Sequence, residues 1–118
     1  MKPVAAGERL VVNLDEMEFE PYVNSQGVAD GLAFQLDRSK PLGRGFHIYR
    51  MEPGYTTIPH EHCGNEEYFI ISGDLTDNDG TVYRAGDLVL MKDGTQHCSH
   101  TENGCVIVVY LEAPEAEV

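Results

Sequence analysis

Positive charge is scarce in this chain: eight lysines and arginines stand against twenty aspartates and glutamates, a formal charge of -12 over 118 residues. A surface of that sign repels polyanions and favours solubility, so nucleic acid and anionic membranes are poor partners. Long apolar runs are also missing. The longest, Cys105 to Leu111, is too short to span a bilayer, and the opening MKPVAAGERL lacks the apolar core of a secretion signal. These absences predict a soluble, cytoplasmic protein. The three cysteines, Cys63, Cys98 and Cys105, are an odd number without CxxC spacing. They read as reduced thiols rather than a disulfide framework. Helical periodicity is absent too: no stretch of ten or more residues carries it with start and stop signals, which predicts an all-β chain.

What is present fits one domain over residues 1–118. The length is near the commonest domain size, and 42% apolar residues are ample for one core. A barrel with its N-terminal strands is expected over about 9–111, with 1–8 and 114–118 flexible. Arg9–Leu14 reads as a short β-prone run. In DEMEFEPY, residues 15–22, Met17, Phe19 and Pro21 alternate with glutamates, as an edge segment or a single helical turn would. Leu32–Leu36 alternates again, and Asp37–Gly45 is a loop carrying Arg38, Lys40 and Arg44, read as solvated. Strands follow at Phe46–Glu52, Thr56–His62, Glu66–Ser72, Thr81–Arg84, Asp87–Met91, His97–Thr101 and Cys105–Leu111, punctuated by Pro53-Gly54, Asp79-Gly80, Ala85-Gly86, Asp93-Gly94 and Asn103-Gly104. Short strands between glycine-rich turns indicate a sandwich or barrel. The last strand is apolar on both faces, so its outer face needs a cover, and a homodimer is expected.

The chemistry concentrates in GYTTIPHEHCGNEEYFIISG, Gly54 to Gly73, which holds His60, His62 and Glu66 within seven residues. On an extended strand, side chains at i and i+2 share a face, so both histidines point one way and a short reversal brings Glu66 beside them. That is the outline of a metal site short of one ligand. Glu67 points to the opposite face from Glu66. Tyr68 shares the Glu66 face and is expected, with Ile58 and Ile70, to line the pocket. His47 and His100 read as ordinary polar residues, and Cys63 and Cys98, each next to a histidine, as outward-pointing bystanders. DLTDNDG, residues 74–80, fails the calcium-loop spacing and reads as an acidic hairpin.

Gly54-x5-His60-x-His62-x3-Glu66-x6-Gly73 resembles the first cupin motif at every defined position. Gly86-x5-Lys92-x-Gly94-x2-His97 resembles the second in part: Lys92 replaces the family's proline and Thr101 its usual asparagine. The register of His97 survives, and the turn before it is expected to be looser. Within cupins the chain is most similar to the ChrR-like group, named for the sensor domain of an anti-sigma factor, over about Leu10 to Leu111. The resemblance implies a double-stranded β-helix, or jelly-roll barrel, and a divalent metal held by His60, His62, Glu66 and His97.

Three imidazoles and one carboxylate suit Zn or Fe(II), and also Mn, Ni or Cu. An octahedral ion would keep two positions for water, substrate or dioxygen, whereas a tetrahedral one would be closed and structural or sensory. Two functions follow from the resemblance. One is a metal-dependent enzyme of dioxygenase type on a small oxygen-chelating substrate. The alternative is a non-enzymatic metal-binding sensor, although the chain lacks the helical zinc-binding N-terminal domain of such anti-sigma factors. A sugar or polyketide isomerase or cyclase is a third use of the same barrel, and no residue singles it out. No general base is legible.

Overall fold

The computed structural model describes all 118 residues and contains eleven strands and one three-residue 3-10 turn, Leu14–Glu16. The strands are β1 (Glu20–Val23), β2 (Ala29–Phe34), β3 (Gly45–Met51), β4 (His60–Glu61), β5 (Glu66–Asp77), β6 (Val82–Arg84), β7 (Leu88–Met91), β8 (Gln96–His97), β9 (Ser99–His100), β10 (Cys105–Leu111) and β11 (Ala116–Glu117). Every pairing is antiparallel. Eight strands form one curled sheet with β10 between β3 and β5, and β11, β4 and β8 form a second, three-stranded sheet in that order. This is the jelly roll expected from the sequence. No helix is long and apolar enough to cross a membrane.

The core lies between the sheets. Cys105, Ile107, Val109 and Leu111 of β10 are buried against Tyr49 and Met51 of β3 and Tyr68, Ile70 and Leu75 of β5. The strand alternation that aims these residues inward is interrupted once. Opposite β10, Ile107 pairs with Ile70 but Val106 with Ser72, which leaves Ile71 as a bulge. Before the bulge the even-numbered residues Glu66, Tyr68 and Ile70 are buried; after it the odd-numbered Leu75 and Asp77 are. Gly73 follows the bulge at φ 91°, and a Cβ there would stand 2.0 Å from the Gly104 carbonyl oxygen. The last defined glycine of the first motif is therefore set by backbone approach between β5 and the turn into β10.

Several expected boundaries differ. Arg9–Leu14 forms no strand, and Leu10 and Val11 are exposed. Residues 15–22 combine both readings, a 3-10 turn and then β1, with Met17 and Phe19 half-buried and Pro21 exposed. Phe19 packs edge-on to Phe34 and under the Arg50 guanidinium. Thr56–His62 is ladder-paired only at Thr56 and at β4. His97–Thr101 divides at Cys98 into β8 and β9, which belong to different sheets. The C-terminal segment carries β11, in which Ala116 pairs with Glu61 and Glu117 with His60.

Candidate metal centre

His60 of β4 lies directly opposite His97 of β8, so the cross-strand pairing of the small sheet brings the first and second motifs together. Pairing continues past β4, where the His62 N–H donates to the Thr95 carbonyl at 2.9 Å and the Gly94 N–H to the His62 carbonyl at 2.8 Å. His60 and His62 thus keep the shared face that their spacing requires. The three rings form a tight triangle, with centroids 5.1 Å (His60–His62), 4.7 Å (His60–His97) and 4.9 Å (His62–His97) apart. Glu66, at the buried start of β5, adds its Oε1 3.3 Å from His62 Nε2. Glu67 is exposed, as alternation demands.

Each ring has its Nδ1 committed. His60 Nδ1 donates to the Ile58 carbonyl at 2.8 Å, and His97 Nδ1 to Asp77 Oδ2 at 3.0 Å. The Thr95 hydroxyl donates to the Lys92 carbonyl at 2.7 Å, so its oxygen is free to accept from His62 Nδ1 at 2.9 Å. These bonds fix one tautomer and leave the Nε2 lone pairs free, that of His62 facing Glu66 Oε1. His62 Nε2 is buried without a hydrogen-bond partner. An imidazole lone pair facing a carboxylate oxygen at 3.3 Å puts two acceptors together, an arrangement that a cation between them satisfies. His60, His62 and His97 offer ligand atoms within 4.8 Å of one another, and so do His62, Glu66 and Glu115. The residues fit a divalent metal, and the donor set is of the borderline type that transition metals prefer.

The turn before His97 is not loose. Thr95 N–H closes it on the Lys92 carbonyl, and Asp93 exchanges bonds with Gly64 N–H and the Asn65 side chain. Thr101, the other departure from the motif, is fully buried and bonds Asp74.

The sequence left Glu115 and Asp77 unseen and read His47 as an ordinary polar residue. Glu115, in the segment read as flexible, places Oε1 3.5 Å from His60 Nε2 and 3.7 Å from His62 Nε2. Burial, and then the charge of Glu66, pushes the Glu115 carboxyl well above the usual carboxylate range. Asp77, in the hairpin dismissed as acidic surface, accepts from His97, from Ser99 Oγ and from Tyr83 OH at 2.7 Å. His47 is buried in the cavity wall, its Nδ1 donating to the Gly45 carbonyl at 3.1 Å, and burial lowers its pKa. The odd spacing of Asp77 behind a bulge left no sequence signal, whereas the His47 position within an alternating strand did carry one.

The cavity above the triangle has a volume of about 60 Å³ and is walled by His60, His97, Glu66, Tyr68, His47 and Glu115 among others. Tyr68 stands in its wall, and its hydroxyl is buried without a partner. Ile58 and Ile70 do not. Ile70 is wholly inside the apolar core, and Ile58 serves through its backbone, donating to Asp30 and accepting from His60. His100 lies outside the cluster, against Thr56 and Glu102. All three cysteines are free thiols, and Cys63 is exposed. Arg38 pairs with Glu20 at the surface.

The family described as ChrR cupin-like domain matches residues 7–114. No curated protein sequence matches significantly. Among solved structures, the polyketide cyclase RemF from Streptomyces resistomycificus is similar at TM-score 0.73 and 18% identity, over 93% of this chain and 85% of that one. An acetylacetone dioxygenase from Acinetobacter johnsonii is similar at 0.69 and 15%, over 100% and 82%. The Rhodobacter sphaeroides complex of SigE with the anti-sigma ChrR is similar at 0.64 and 16%, over 85% of this chain and 52% of that one. At such identities the agreement is one of fold.

Proposed function

The chain belongs to the ChrR cupin-like domain family, and from that premise we propose that it is a divalent-metal-binding cupin with His60, His62, Glu66 and His97 as ligands. One observation carries this reading: three imidazoles whose Nδ1 atoms are all engaged bring ligand nitrogens within 4.8 Å of one another, and His62 Nε2 lies 3.3 Å from the buried Glu66 carboxylate. Zn and Fe(II) are the leading occupants. Elemental analysis of the purified protein tests it: one equivalent of transition metal is expected, lost in a variant lacking His60 and His62, and a metal-free wild type that takes up none overturns it.

As an enzyme, the protein is read as dioxygenase-type, acting on a small substrate that chelates through two oxygens. A bound Fe(II) would supply Lewis acidity and a centre for dioxygen. The chain's own residues supply the rest. His47, held as the Nδ1–H tautomer by Gly45, leaves Nε2 to accept a proton at the cavity wall, and burial keeps the ring neutral. Tyr68 offers an unpartnered hydroxyl to a substrate oxygen. Leu75, Ile107, Val109 and Leu111 exclude water from the cavity floor. Oxygen uptake by the Fe(II)-loaded protein across β-dicarbonyls and hydroxylated aromatic ketones tests this, and absence of turnover with every metal overturns it.

The cavity volume favours a second reading, a metal-binding sensor. About 60 Å³ is far below the several hundred Å³ of ordinary ligand pockets. A site of that size suits sensing of metal or of a small oxidant better than turnover of a bulky substrate. A partner recovered from source lysate in stoichiometric amount, and only with metal present, supports this second reading.

The outer sheet face bears on assembly. Phe46, Tyr110 and Leu90 flank Glu67 along one row, and Val108, Phe69 and Leu88 run along the next. Phe46, Phe69, Leu88, Leu90 and Tyr110 are all exposed. A contiguous apolar surface of this kind is the face by which the protein is proposed to form a homodimer.

A further inference from the structure

We propose that Glu115 is a fifth protein ligand of the metal, delivered by the C-terminal strand; this rests on the metal-binding reading above. The motif supplies four ligands and says nothing about residue 115. The ladder does. With Ala116 opposite Glu61 and Glu117 opposite His60, the register carries Glu115 to the position opposite His62. Directly paired residues of an antiparallel ladder present their side chains on the same face. Glu115 therefore enters the site for the same geometric reason that His60 and His62 do.

Two of three distances fall within the span expected of neighbouring ligands, and the third, Glu115 Oε1 to His62 Nε2, exceeds it by about 0.2 Å. Two ligands bound side by side at roughly 2.0–2.2 Å from one ion stand about 3.0–3.5 Å apart. Glu66 Oε1 to His62 Nε2 is 3.3 Å, Glu115 Oε1 to His60 Nε2 is 3.5 Å, and Glu115 Oε1 to His62 Nε2 is 3.7 Å. The Glu115 side chain is only 17% exposed. The segment is tied down on its far side as well, since Asn24 Nδ2 donates to Glu117 Oε1 at 2.9 Å and Ser25 Oγ to the Glu115 carbonyl at 3.4 Å. The turn between β1 and β2 and the strand β4 thus clamp the tail from both sides, and the carboxylate between them is held where an ion coordinated by the histidines would meet it. An ion able to accept six ligands would keep one free position rather than two, and releasing β11 would restore the second.

The test compares wild type with E115Q, which is isosteric and uncharged, with a chain ending at Ala113, and with E67Q as an outward-facing control. Each is loaded with Co(II), its visible ligand-field spectrum is recorded, and its affinity is measured by chelator competition. E115Q and the truncated chain are expected to lose at least about tenfold in affinity and to show shifted bands of altered intensity, while E67Q matches wild type. Wild-type spectrum and affinity in E115Q overturn the inference, whatever the truncated chain does. Thermal melting of the metal-free proteins shows that E115Q is folded. Failure of wild type itself to bind Co(II) or Zn(II) overturns the metal reading and this inference together, whereas wild-type binding with an unchanged E115Q overturns this inference alone.

Discussion

His97 Nδ1 lies 3.0 Å from Asp77 Oδ2, a bond that joins β8 of the small sheet to the end of β5 in the large one. The same carboxylate accepts from Ser99 and Tyr83, so its position is fixed independently of the ring it orients. Asp77→Ala frees the His97 ring to turn and removes the charge that raises its basicity as a donor. Metal affinity measured by chelator competition is expected to fall about 10–100-fold, as for other carboxylate–histidine supports. Asp77→Asn, which can still accept from Nδ1 through its oxygen, is expected to recover part of that loss.

His47 offers a test of the enzymatic reading that metal binding does not confound. Its Nδ1 is bonded to the Gly45 carbonyl, and none of the three clustered rings is hydrogen-bonded to it. If the protein is an oxygenase, His47→Gln is expected to lower kcat for oxygen uptake by about 10²-fold or more while metal content stays at the wild-type level. Equal loss of metal would show instead that His47 supports the site's structure.

Gly73 tests the bulge. An alanine there combines a left-handed φ of 91° with a Cβ 2.0 Å from a backbone oxygen that cannot swing aside. Gly73→Ala is expected to destabilise the fold by more than about 2 kcal/mol in urea unfolding. Gly80→Ala, at a turn with nothing within 4 Å of the added Cβ, shares the positive φ but not the clash, and is expected to cost less.

Asp74 gives the pH dependence. Its carboxylate accepts from the Glu102 and Asn103 backbone N–H groups, the Asn103 amide and the Thr101 hydroxyl, and these bonds, that of Glu102 foremost, hold it below the usual carboxylate range. A depressed folded pKa contributes stability that is present above the unfolded value of about 3.9 and lost as pH falls through the folded one. Asp74→Asn is therefore expected to melt below wild type at neutral pH, with the gap narrowing as pH drops below about 4. A gap that stays constant from pH 7 to 3 contradicts this.

The outer sheet face predicts a mass. Wild type is expected to sediment at twice its 13.1 kDa chain mass, and Phe69→Glu, a charge in the middle of the exposed apolar rows, at the single chain mass with an unchanged melting temperature. A monomeric wild type at all accessible concentrations overturns the homodimer.

The sequence carried the short, largely apolar runs whose ends are marked by glycine-containing turns: β3, β7 and β10 fall within a residue or so of expectation. It carried His60, His62 and Glu66 because one strand–turn–strand contains all three, and His97 through the second motif's register. What it hid depends on pairing between distant segments. The bulge at Ile71 is visible only against β10, and it decides that Asp77 faces inward. Glu115 lies in a short acidic stretch with no apolar pattern of its own, and becomes ordered because β4 offers it a free edge. Arg9–Leu14 misled in the other direction. Its β propensity is real, but no neighbouring strand is available to it, and propensity without a partner leaves Val11 in solvent.

The β4, β8 and β11 strands are two residues long apiece, whereas β10 pairs along seven with β3. All the histidines of the cluster, and Glu115 beside them, are thus carried by or adjoin the least extensively bonded part of the molecule, while the long ladders lie on the other side of the core. Amide hydrogen exchange should divide the chain accordingly: the amides around residues 60–62, 95–97 and 116–117 open by local fluctuation, and those of β3 and β10 only when the whole domain unfolds. An ion that bridges the three short strands would act as a staple on this fast-opening unit, lengthening its protection without changing that of the slow one.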